Sequence, residues 1–219
     1  MSLSAPPELT FLPLARQHAR AVAELHIAGI PTGFISSLGP DFVSALYEAI
    51  ADSRGSFGFV ALVDGRVAGY ISVTSSLKGL YLAVLRRAGL KFALLLARRA
   101  LAPRTLKRIL ETLFYPERTR NLQLPEAEIL AAAVAPEVRA YGVANQLFAL
   151  ALEECRRRGI KEVKIAAAET LQHINKIYQL LGLQVRARIV NHGVATNIYV
   201  MPAELFGSGP PGHEKPKGA

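Results

Sequence analysis

Cysteine is almost absent from this chain of 219 residues, and tryptophan is absent altogether. Its single cysteine, Cys155, excludes an internal disulfide framework and a metal site built from cysteines. This scarcity favours a reducing compartment, and we expect a cytoplasmic protein. Apolar residues nevertheless make up 51% of the chain and charged residues 20%. That is ordinary globular usage, and at roughly 150 residues per domain it predicts one domain with an elaboration.

Acidic side chains are missing from one long segment, residues 78–110, although the chain as a whole has 17 of them. The segment carries nine basic residues, so the rest of the chain has 17 basic and 17 acidic side chains and the net charge of +9 belongs to this segment. No uncharged stretch in it approaches the ~20 residues needed to span a bilayer. Its basic residues alternate with Leu, Val and Phe, which is not a nucleic-acid-binding pattern, so no nucleic-acid partner is expected.

The basic segment lies within a predicted helical insertion over residues 77–121. Its leucines recur at helical spacing, and Gly89 and Pro103 break the pattern into two or three amphipathic helices. Three roles remain open for it: a lid packed on the domain or on a second subunit of a homodimer, a surface for an anionic membrane, or a pocket for a phosphate-bearing acceptor. The membrane role would place the protein at the inner face of the membrane.

Periodicity and turn residues predict the order β-α-α-β-β, the insertion, then β-α-β-α-β-β. The clearest signal is a hairpin of residues 58–63 and 67–74 around Asp64-Gly65, and Asp41 is predicted to be the N-cap of the second helix. We expect one domain over residues 8–205 and a flexible tail over 206–219. The other predicted elements are strands 8–12, 128–134, 162–168, 184–190 and 194–201 and helices 14–27, 41–51, 144–158 and 171–181.

The string AEILAAAVAPEVRAYGVANQLF, residues 127–148, combines a buried strand, a turn and a helix. Its turn reads R-x-x-G-x-A, from Arg139 to Ala144. A helix N-terminus presents unpaired backbone N–H groups and the positive end of the helix dipole, so a turn of small residues placed there can bind a pyrophosphate. Alone, the pattern is also typical of an ordinary glycine turn.

The longer string V-A-P-E-V-R-A-Y-G-V-A, residues 134–144, resembles the V-x-P-x-x-R-x-x-G-x-G/A signature of the GNAT superfamily of acetyl-CoA-dependent N-acetyltransferases. A second element of that family, a helix ending in Y-x-x-x-G-F, is matched by residues 178–183 with Leu183 in place of Phe. The resemblance covers residues 8–202 except the insertion. It implies an α/β GNAT fold, with a mixed, mostly antiparallel central sheet flanked by helices and the insertion between the third and fourth strands.

The resemblance also implies how acetyl-CoA is held. Backbone groups of Ala132, Ala133 and Val134 should lie beside the pantetheine arm like an added strand. The family often has an asparagine where this chain has Leu171, and Asn175 is the nearest amide that could replace its cofactor contact. The pyrophosphate is expected on the amides of Arg139, Ala140, Tyr141, Gly142, Val143 and Ala144. No metal is implied.

Acetylation of an amine with a pKa near ~10 benefits from a base, and departure of a thiolate benefits from a proton donor. Glu128 matches the A-E-I glutamate that serves as base in the histone-acetyltransferase branch, and its apolar neighbours should raise its pKa. A solvent-facing or ion-paired carboxylate is the alternative. Tyr178 matches the family's general-acid tyrosine, with a packing role as the alternative. His173 and His192 are lesser candidates for the base.

The expected activity is therefore transfer of an acetyl group from acetyl-CoA to a primary amine by direct attack in a ternary complex. A small molecule such as an amino sugar is favoured over a basic peptide, which the positive segment would repel. The alternative is a catalytically silent acyl-CoA-binding or membrane-associated module with the same fold.

Overall fold

The computed structural model describes residues 8–84, 86, 107–108, 111–112, 115 and 120–205. Seven strands form one sheet in the order β1-β2-β3-β4-β5-β7-β6. All neighbouring strands are antiparallel except β4 and β5, which are parallel. The strands are β1 (Leu9–Pro13), β2 (Ser56–Val63), β3 (Arg66–Thr74), β4 (Glu128–Val134), β5 (Glu162–Ala168), β6 (Val185–Asn191) and β7 (Val194–Pro202).

Helices cover both faces of this sheet, as the predicted mixed α/β architecture requires. They are α1 (Ala19–Gly29), α2 (Phe34–Ser37), α3 (Pro40–Asp52), α4 (Val143–Arg157) and α5 (Gln172–Leu180), with 3₁₀ turns at Arg16–His18, Arg120–Leu122 and Pro136–Tyr141. Residues 77–84 are also helical. None of the helices in the described ranges is long and apolar enough to cross a membrane.

The predicted N-cap of α3 is wrong. Gly39 occupies that position and Pro40 is the first helical residue, where its fixed φ and missing N–H suit a helix start. Asp41 lies in the first turn, and its Oδ1 accepts a hydrogen bond from Nη1 of Arg20 at 2.9 Å. The aspartate therefore links α1 to α3 instead of capping α3.

The predicted β2–β3 hairpin is confirmed, and its two turn residues show why the sequence is informative there. Asp64 and Gly65 have φ values of 50° and 75°. A tight hairpin turn needs positive φ at both positions, and Asp-Gly supplies it with little strain. β4 and β5 have the predicted bounds, and α4 and α5 end before the predicted glycines Gly159 and Gly182.

Two buried clusters lie on opposite faces of the sheet. One packs α4 and α5 against the sheet through side chains such as Leu147, Leu152 and Tyr178. The other packs α1 and α3 through Val43 and Tyr47, and it includes Leu80 and Val84 of residues 77–84. The beginning of the insertion therefore packs on the α1 and α3 face.

The remaining predictions for the ends and the insertion concern residues that the structure does not describe. They include the helix breaks at Gly89 and Pro103, most of the basic segment 78–110 and the tail 206–219. The lid, membrane and homodimer roles of the insertion stay predictions.

Candidate active site

β4 and β5 run side by side at their first residues and then diverge. Glu128 pairs with Lys164 and Ile129 with Ile165. β5 continues in register with β7 as far as Ala168, whereas in the described part of the chain no strand pairs with this edge of β4 beyond Ile129. The divergence leaves a gap in the sheet, with one edge of β4 open.

A β-bulge at Leu130 turns the backbone of β4 at the point where this gap begins. The register with β3 shifts between Ser72 and Val73, and both Leu130 and Ala131 contact the α1 and α3 core. The carbonyl of Ala127 faces β5 and accepts the Lys164 amide at 2.9 Å. Beyond the bulge, the carbonyl of Ala131 faces β3 instead, because it accepts the Ser72 hydroxyl at 3.3 Å. The extra residue has reversed the side to which odd-numbered residues direct their N–H and C=O groups.

As a result, Ala132 and Val134 direct their backbone groups into the gap. The Ala135 amide donates to Ala68 of β3 at 2.8 Å, so by alternation Ala133 also faces β3, while Ala132 and Val134 face away. The carbonyl of Val134 accepts Nε of Arg139 at 3.2 Å. An extended ligand can therefore add to this edge as a further strand.

The end of β4 leads directly into the predicted pyrophosphate loop. Residues 136–141 form a 3₁₀ turn, Gly142 adopts φ +70°, and α4 begins at Val143. The first hydrogen bond across this junction runs from the Gln146 amide to the Gly142 carbonyl at 3.1 Å. The amides of Val143, Ala144 and Asn145, in the first turn of α4, precede this bond and are those that an α-helix leaves unpaired, whereas the 3₁₀ turn uses amides of its own, as Val138 does in donating to the Ala135 carbonyl at 3.1 Å.

Gly142 favours the binding of an anion at this loop for two reasons. An L-residue is strained at its positive φ, and a Cβ built on it would meet no atom within 4 Å. The backbone is thus exposed to open space next to a helix N-terminus, which is the arrangement that a pyrophosphate requires. Arg139 and Tyr141 are exposed beside it.

Asn175 is buried and its amide is fully used inside the protein. Nδ2 donates to the carbonyls of Ala168 and Leu171, each at 2.8 Å. Oδ1 accepts from Nδ2 of Asn197 at 3.0 Å and from the Tyr199 hydroxyl at 2.8 Å. Four internal hydrogen bonds leave no capacity for coenzyme A, so this geometry supports a role in fixing α5 to β5 and β7 and not the predicted cofactor contact.

Glu128 is buried one residue before the last position at which β4 pairs with β5, and it faces a buried lysine. Oε2 lies 3.5 Å from Nζ of Lys164, and the two side chains are 11% and 7% exposed. Burial raises the pKa of Glu128 to about 7, although the Lys164 charge lowers it in part. The carboxyl group is therefore divided between its two protonation states near neutral pH, as a general base requires.

The sequence motifs did not identify Lys164 as a site residue, although the strand that contains it carries a recognisable indication. It is a lysine within the buried strand EVKIAAA, flanked by Val163 and Ile165. Lysine is almost never buried without a charged or hydrogen-bonded partner, so a lysine in such a strand predicts a buried acceptor.

Tyr178 lies on α5 with its ring packed edge-on against Tyr199, at 5.1 Å between ring centroids. It belongs to the same buried cluster as Val138 and Val143 of the pyrophosphate loop. Its hydroxyl makes no hydrogen bond to any residue that the structure describes. Burial raises its pKa to about 12, so the hydroxyl keeps its proton and can donate a hydrogen bond.

The insertion and the β6–β7 turn meet close to Glu128. The Glu128 charge helps to raise the pKa of both Tyr81 and Tyr115. The Tyr81 hydroxyl donates to the carbonyl of Thr112 at 3.0 Å, and the Thr112 hydroxyl lies 3.2 Å from Nε2 of His192. Sequence reasoning could not find these contacts, because they join residues 31 and 80 positions apart.

His192 is not a free base in this arrangement. Its Nδ1 lies 3.0 Å from Oε2 of Glu111, and its ring is 4.7 Å from the ring of Phe34 on α2. Desolvation lowers its pKa more than Glu111 raises it. His192 therefore links the hairpin turn, the insertion and α2. The other histidine candidate, His173, is exposed on α5.

A buried polar cluster lies behind the middle of β4. The hydroxyls of Tyr47 and Tyr70 are 2.8 and 2.9 Å from Nδ1 of His26 on α1. Burial lowers the pKa of His26 to about 4, so this imidazole is neutral at pH 7. Gly29, at the end of α1, lies so close to β4 that a Cβ would be 2.9 Å from that of Ala133.

Cys155 is buried in α4, and burial raises its pKa to about 11.

Comparisons with known proteins agree with this geometry. The family model described as "Acetyltransferase (GNAT) family" matches residues 28–183. No curated protein sequence matches the chain. Among the described residues, no group of three or more His, Cys, Asp or Glu could hold a metal ion.

Solved structures show the same fold at low sequence identity. An N-acetyltransferase from Staphylococcus aureus Mu50 has a TM-score of 0.58 at 13% identity, covering 90% of this chain and 99% of its own. The ribosomal-protein-S18-alanine N-acetyltransferase from Escherichia coli has a TM-score of 0.55 at 12% identity, covering 90% and 94%. Arabidopsis thaliana NAA60 in complex with acetyl-CoA has a TM-score of 0.56 at 10% identity, covering 89% and 98%. With the family model spanning most of its length, the chain belongs to the GNAT family, whose members transfer an acetyl group from acetyl-CoA.

Proposed function

We propose that this protein acetylates a primary amine of a small molecule, an amino sugar being one suitable class, by direct attack of the amine on acetyl-CoA in a ternary complex. The observation that carries this proposal is the buried carboxyl group of Glu128, positioned where β4 and β5 separate. Its pKa of about 7 suits proton transfer at neutral pH.

The donor half of the site consists of backbone. Ala132 and Val134 provide the strand edge for the pantetheine arm, with Ala133 between them bound to β3. The loop amides of residues 139–144 bind the pyrophosphate, helped by the positive end of the α4 dipole. Neither group of contacts needs a particular side chain beyond the small ones that allow close approach, which explains three successive alanines before Val134.

Glu128 acts as the base. An alkyl amine with a pKa of ~10 is almost entirely protonated at pH 7 and cannot attack in that form. The acceptor's ammonium group gives one proton to the Glu128 carboxylate, which becomes the neutral acid, and the free amine then attacks the thioester carbonyl. As the C–N bond forms, the C–S bond breaks, and the second proton on the attacking nitrogen passes through solvent to the departing thiolate. The proton leaves Glu128 for solvent before the next cycle.

Tyr178 stabilises the departing thiolate by a hydrogen bond. Complete transfer of its proton to a thiolate of pKa ~8.5 would be uphill by about 5 kcal/mol, because the pKa of Tyr178 is about 12. A hydrogen bond has no such barrier and still favours the charged leaving group. We therefore assign Tyr178 as a hydrogen-bond donor that retains its proton.

The acceptor side is formed by α2, the insertion and the β6–β7 turn. Phe34, Tyr81 and His192 contribute rings, and Glu111 contributes a carboxylate bound to His192. Residues 77–84 bring Tyr81 near Glu128 and are linked through Thr112 to His192 of the β6–β7 turn, and this crowding near the base favours a small acceptor over a folded protein. A cytoplasmic location belongs to the same proposal.

The test combines coenzyme A binding with turnover. We expect coenzyme A to bind the wild type in calorimetry, and an amine panel including amino sugars and short peptides to release free thiol. Glu128→Gln should lower kcat by about 10²- to 10⁴-fold without weakening coenzyme A binding, and Tyr178→Phe should lower kcat less. Glu153→Gln, an exposed carboxylate on α4, is the matched control.

Three results would contradict the proposal in different ways. If wild type and Glu128→Gln acetylate the same amine at equal rates, Glu128 is not the base. If coenzyme A binds but no amine in the panel releases thiol, the catalytically silent acyl-CoA-binding module describes the protein better. If peptides are acetylated faster than every small amine in the panel, the acceptor is a peptide and not a small molecule.

A further inference from the structure

Lys164 is a buried charge next to the proposed base, and the mechanism above does not use it. On β5 its neighbours Val163 and Ile165 face the α4 core, so Lys164 points to the opposite face. Glu128 is its partner in the parallel register and precedes Ile129, which also faces the α4 core. The two side chains therefore lie on the same face, on directly adjacent strands.

The ammonium group of Lys164 is held by two hydrogen bonds and one ion-pair contact. Nζ donates to the backbone carbonyls of Pro125 at 2.5 Å and Glu126 at 3.2 Å, and Oε2 of Glu128 lies 3.5 Å away. A buried charge needs such polar partners, and the two carbonyls supply them for the ammonium group. Both carbonyls lie just before β4, so the ammonium group is held in place independently of Glu128.

The two carboxylate oxygens of Glu128 have different surroundings. Oε2 is fully buried and has no hydrogen bond within the described residues, so the ammonium group at 3.5 Å is its nearest compensation. Oε1 also has no hydrogen-bond partner there but is not fully buried, which leaves it to meet a substrate. Among the described residues, Tyr81 and Tyr115 are the other titratable groups whose pKa the Glu128 charge affects, and both are neutral.

We propose that Lys164 is a positioning residue for acetyl transfer: its ammonium group, held by the carbonyls before β4, favours the ionised form of Glu128 and turns Oε1 toward the acceptor. This inference rests on the proposed role of Glu128 as the base. Lys164 itself touches neither substrate and exchanges no proton.

The physical reason is a competition between burial and charge. Burial alone favours the neutral carboxylic acid, which cannot accept a proton. A fixed positive charge within about 4 Å offsets that penalty, typically by 1 to 3 pKa units. The backbone carbonyls allow the lysine to remain charged when Glu128 becomes protonated, so the carboxyl group can lose its proton again after each cycle.

The direct test is a ¹³C NMR titration of the Glu128 carboxyl carbon in the full chain, assigned by its loss in Glu128→Gln. In the wild type we expect a midpoint near 7. In Lys164→Met, which keeps the length of the side chain but removes its charge, the midpoint should rise by at least about one unit, a tenfold higher proton affinity. Lys161→Met, an exposed lysine at the start of the same region, should leave it unchanged.

A second measurement needs no variant of Lys164, in case Lys164→Met fails to fold. In the wild type, the ¹³Cε resonance of Lys164 should shift with the same midpoint as the Glu128 carboxyl carbon, and that step should vanish in Glu128→Gln. An unchanged Glu128 midpoint in folded Lys164→Met, or a Lys164 resonance insensitive to Glu128, would overturn the proposal.

These titrations need no acceptor, so they test the effect of Lys164 on Glu128 independently of the proposed function. With an active amine, Lys164→Met should shift the acid limb of the kcat/KM profile upward by the same amount as the NMR midpoint. If the Glu128 midpoint rises in Lys164→Met but Glu128→Gln leaves turnover unchanged, the ion pair is confirmed and Glu128 is not the base. A fall in kcat with no shift of the acid limb would indicate a purely structural lysine.

Discussion

The two ends of β4 build the site in opposite ways. At the carboxyl end, Ala132 and Val134 and the following loop present backbone groups, and the critical residue is Gly142, which has no side chain at all. At the amino end, Glu128 and Lys164 place two charges in the interior. The bulge at Leu130 separates these ends and turns the backbone between them.

The difference concerns what each end contributes to the stability of the fold. Backbone amides at a helix start are present in any α/β protein, so the cofactor end adds only the strain of one turn. A buried carboxylate with a raised pKa is less stable in its charged form inside the protein than in the unfolded chain. The acid-base end therefore lowers stability at the pH at which it works, whereas the cofactor end hardly does.

The largest expected effect tests this contrast at Glu128. Its folded pKa of about 7 lies above the usual 4.5, so the stability of the neutral form is fully present below pH 4.5 and is lost as the pH rises through 7. Glu128→Gln mimics the neutral form and should raise the free energy of unfolding by about 3 kcal/mol at pH 8, with no gain at pH 4. Urea denaturation at the two pH values measures it.

Glu153→Gln, on the exposed face of α4, should show no such pH-dependent gain. The opposite sign for Glu128→Gln, a loss of stability at pH 8, would mean that the ion pair with Lys164 outweighs the burial of the carboxylate. The contrast between the two ends of β4 would then have to be abandoned.

His26 is a buried titratable group that takes no part in the proposed reaction, and it allows a comparison with Glu128. Its folded pKa of about 4 lies below 6.5, so stability is fully present above pH 6.5 and falls as the pH drops toward 4. This loss should amount to about 2 to 3 kcal/mol, and His26→Phe should remove it while lowering stability at pH 7 through the lost contacts with Tyr47 and Tyr70. Thermal denaturation across pH 4–7 measures it, with exposed His173→Gln as the control.

If His26→Phe still loses stability between pH 7 and pH 4, groups other than His26 cause that loss. In that case the cluster behind β4 would not be the acid-sensitive part of the fold, and only the Glu128 end would carry a pH-dependent stability.

Gly142 tests the cofactor end against a matched glycine. Gly142 and Gly159 have φ values of +70° and +73°, and a Cβ at either would meet nothing within 4 Å. Alanine at each should therefore cost a similar 1 to 2 kcal/mol or so of stability through strain. Only Gly142→Ala should also weaken coenzyme A binding, by about tenfold, because only there does the backbone approach the pyrophosphate. Calorimetric titration of both variants decides it, and equal affinities would remove Gly142 from the cofactor site.

The cofactor end could be predicted from the sequence because its determinants are local. Strand, turn and helix follow one another within residues 127–148, and the glycine that permits the turn is visible in the string. The amino end was only half predictable. Glu128 sits in a recognisable string, but its pKa depends on Lys164, which lies 36 positions further along the chain and reaches it through strand pairing.

Two other residues show the limits of local patterns in this chain. Asn175 was the amide nearest to the position of the family's asparagine and so suggested a cofactor contact, yet its partners Asn197 and Tyr199 come from β7, and no local pattern reveals that its amide is fully used. Asp41 has the residue type of an N-cap, but Gly39 and Pro40 before it shift the start of the helix. In each case a long-range or neighbouring group decided between two roles that one residue type allows.

The smallest expected effect concerns the contact between the insertion and the final hairpin. Glu111→Gln removes the charge that faces His192 at 3.0 Å, and such a partly exposed pair contributes at most about 1 kcal/mol. We expect faster amide hydrogen exchange at residues 191–193, a few-fold higher KM for the amine, and unchanged coenzyme A affinity, because among the described residues the cofactor end shares no contact with this pair. If coenzyme A affinity fell as much as the amine KM rose, the two ends of β4 would be coupled through the insertion, and their separation into a backbone-built and a charge-built half would fail.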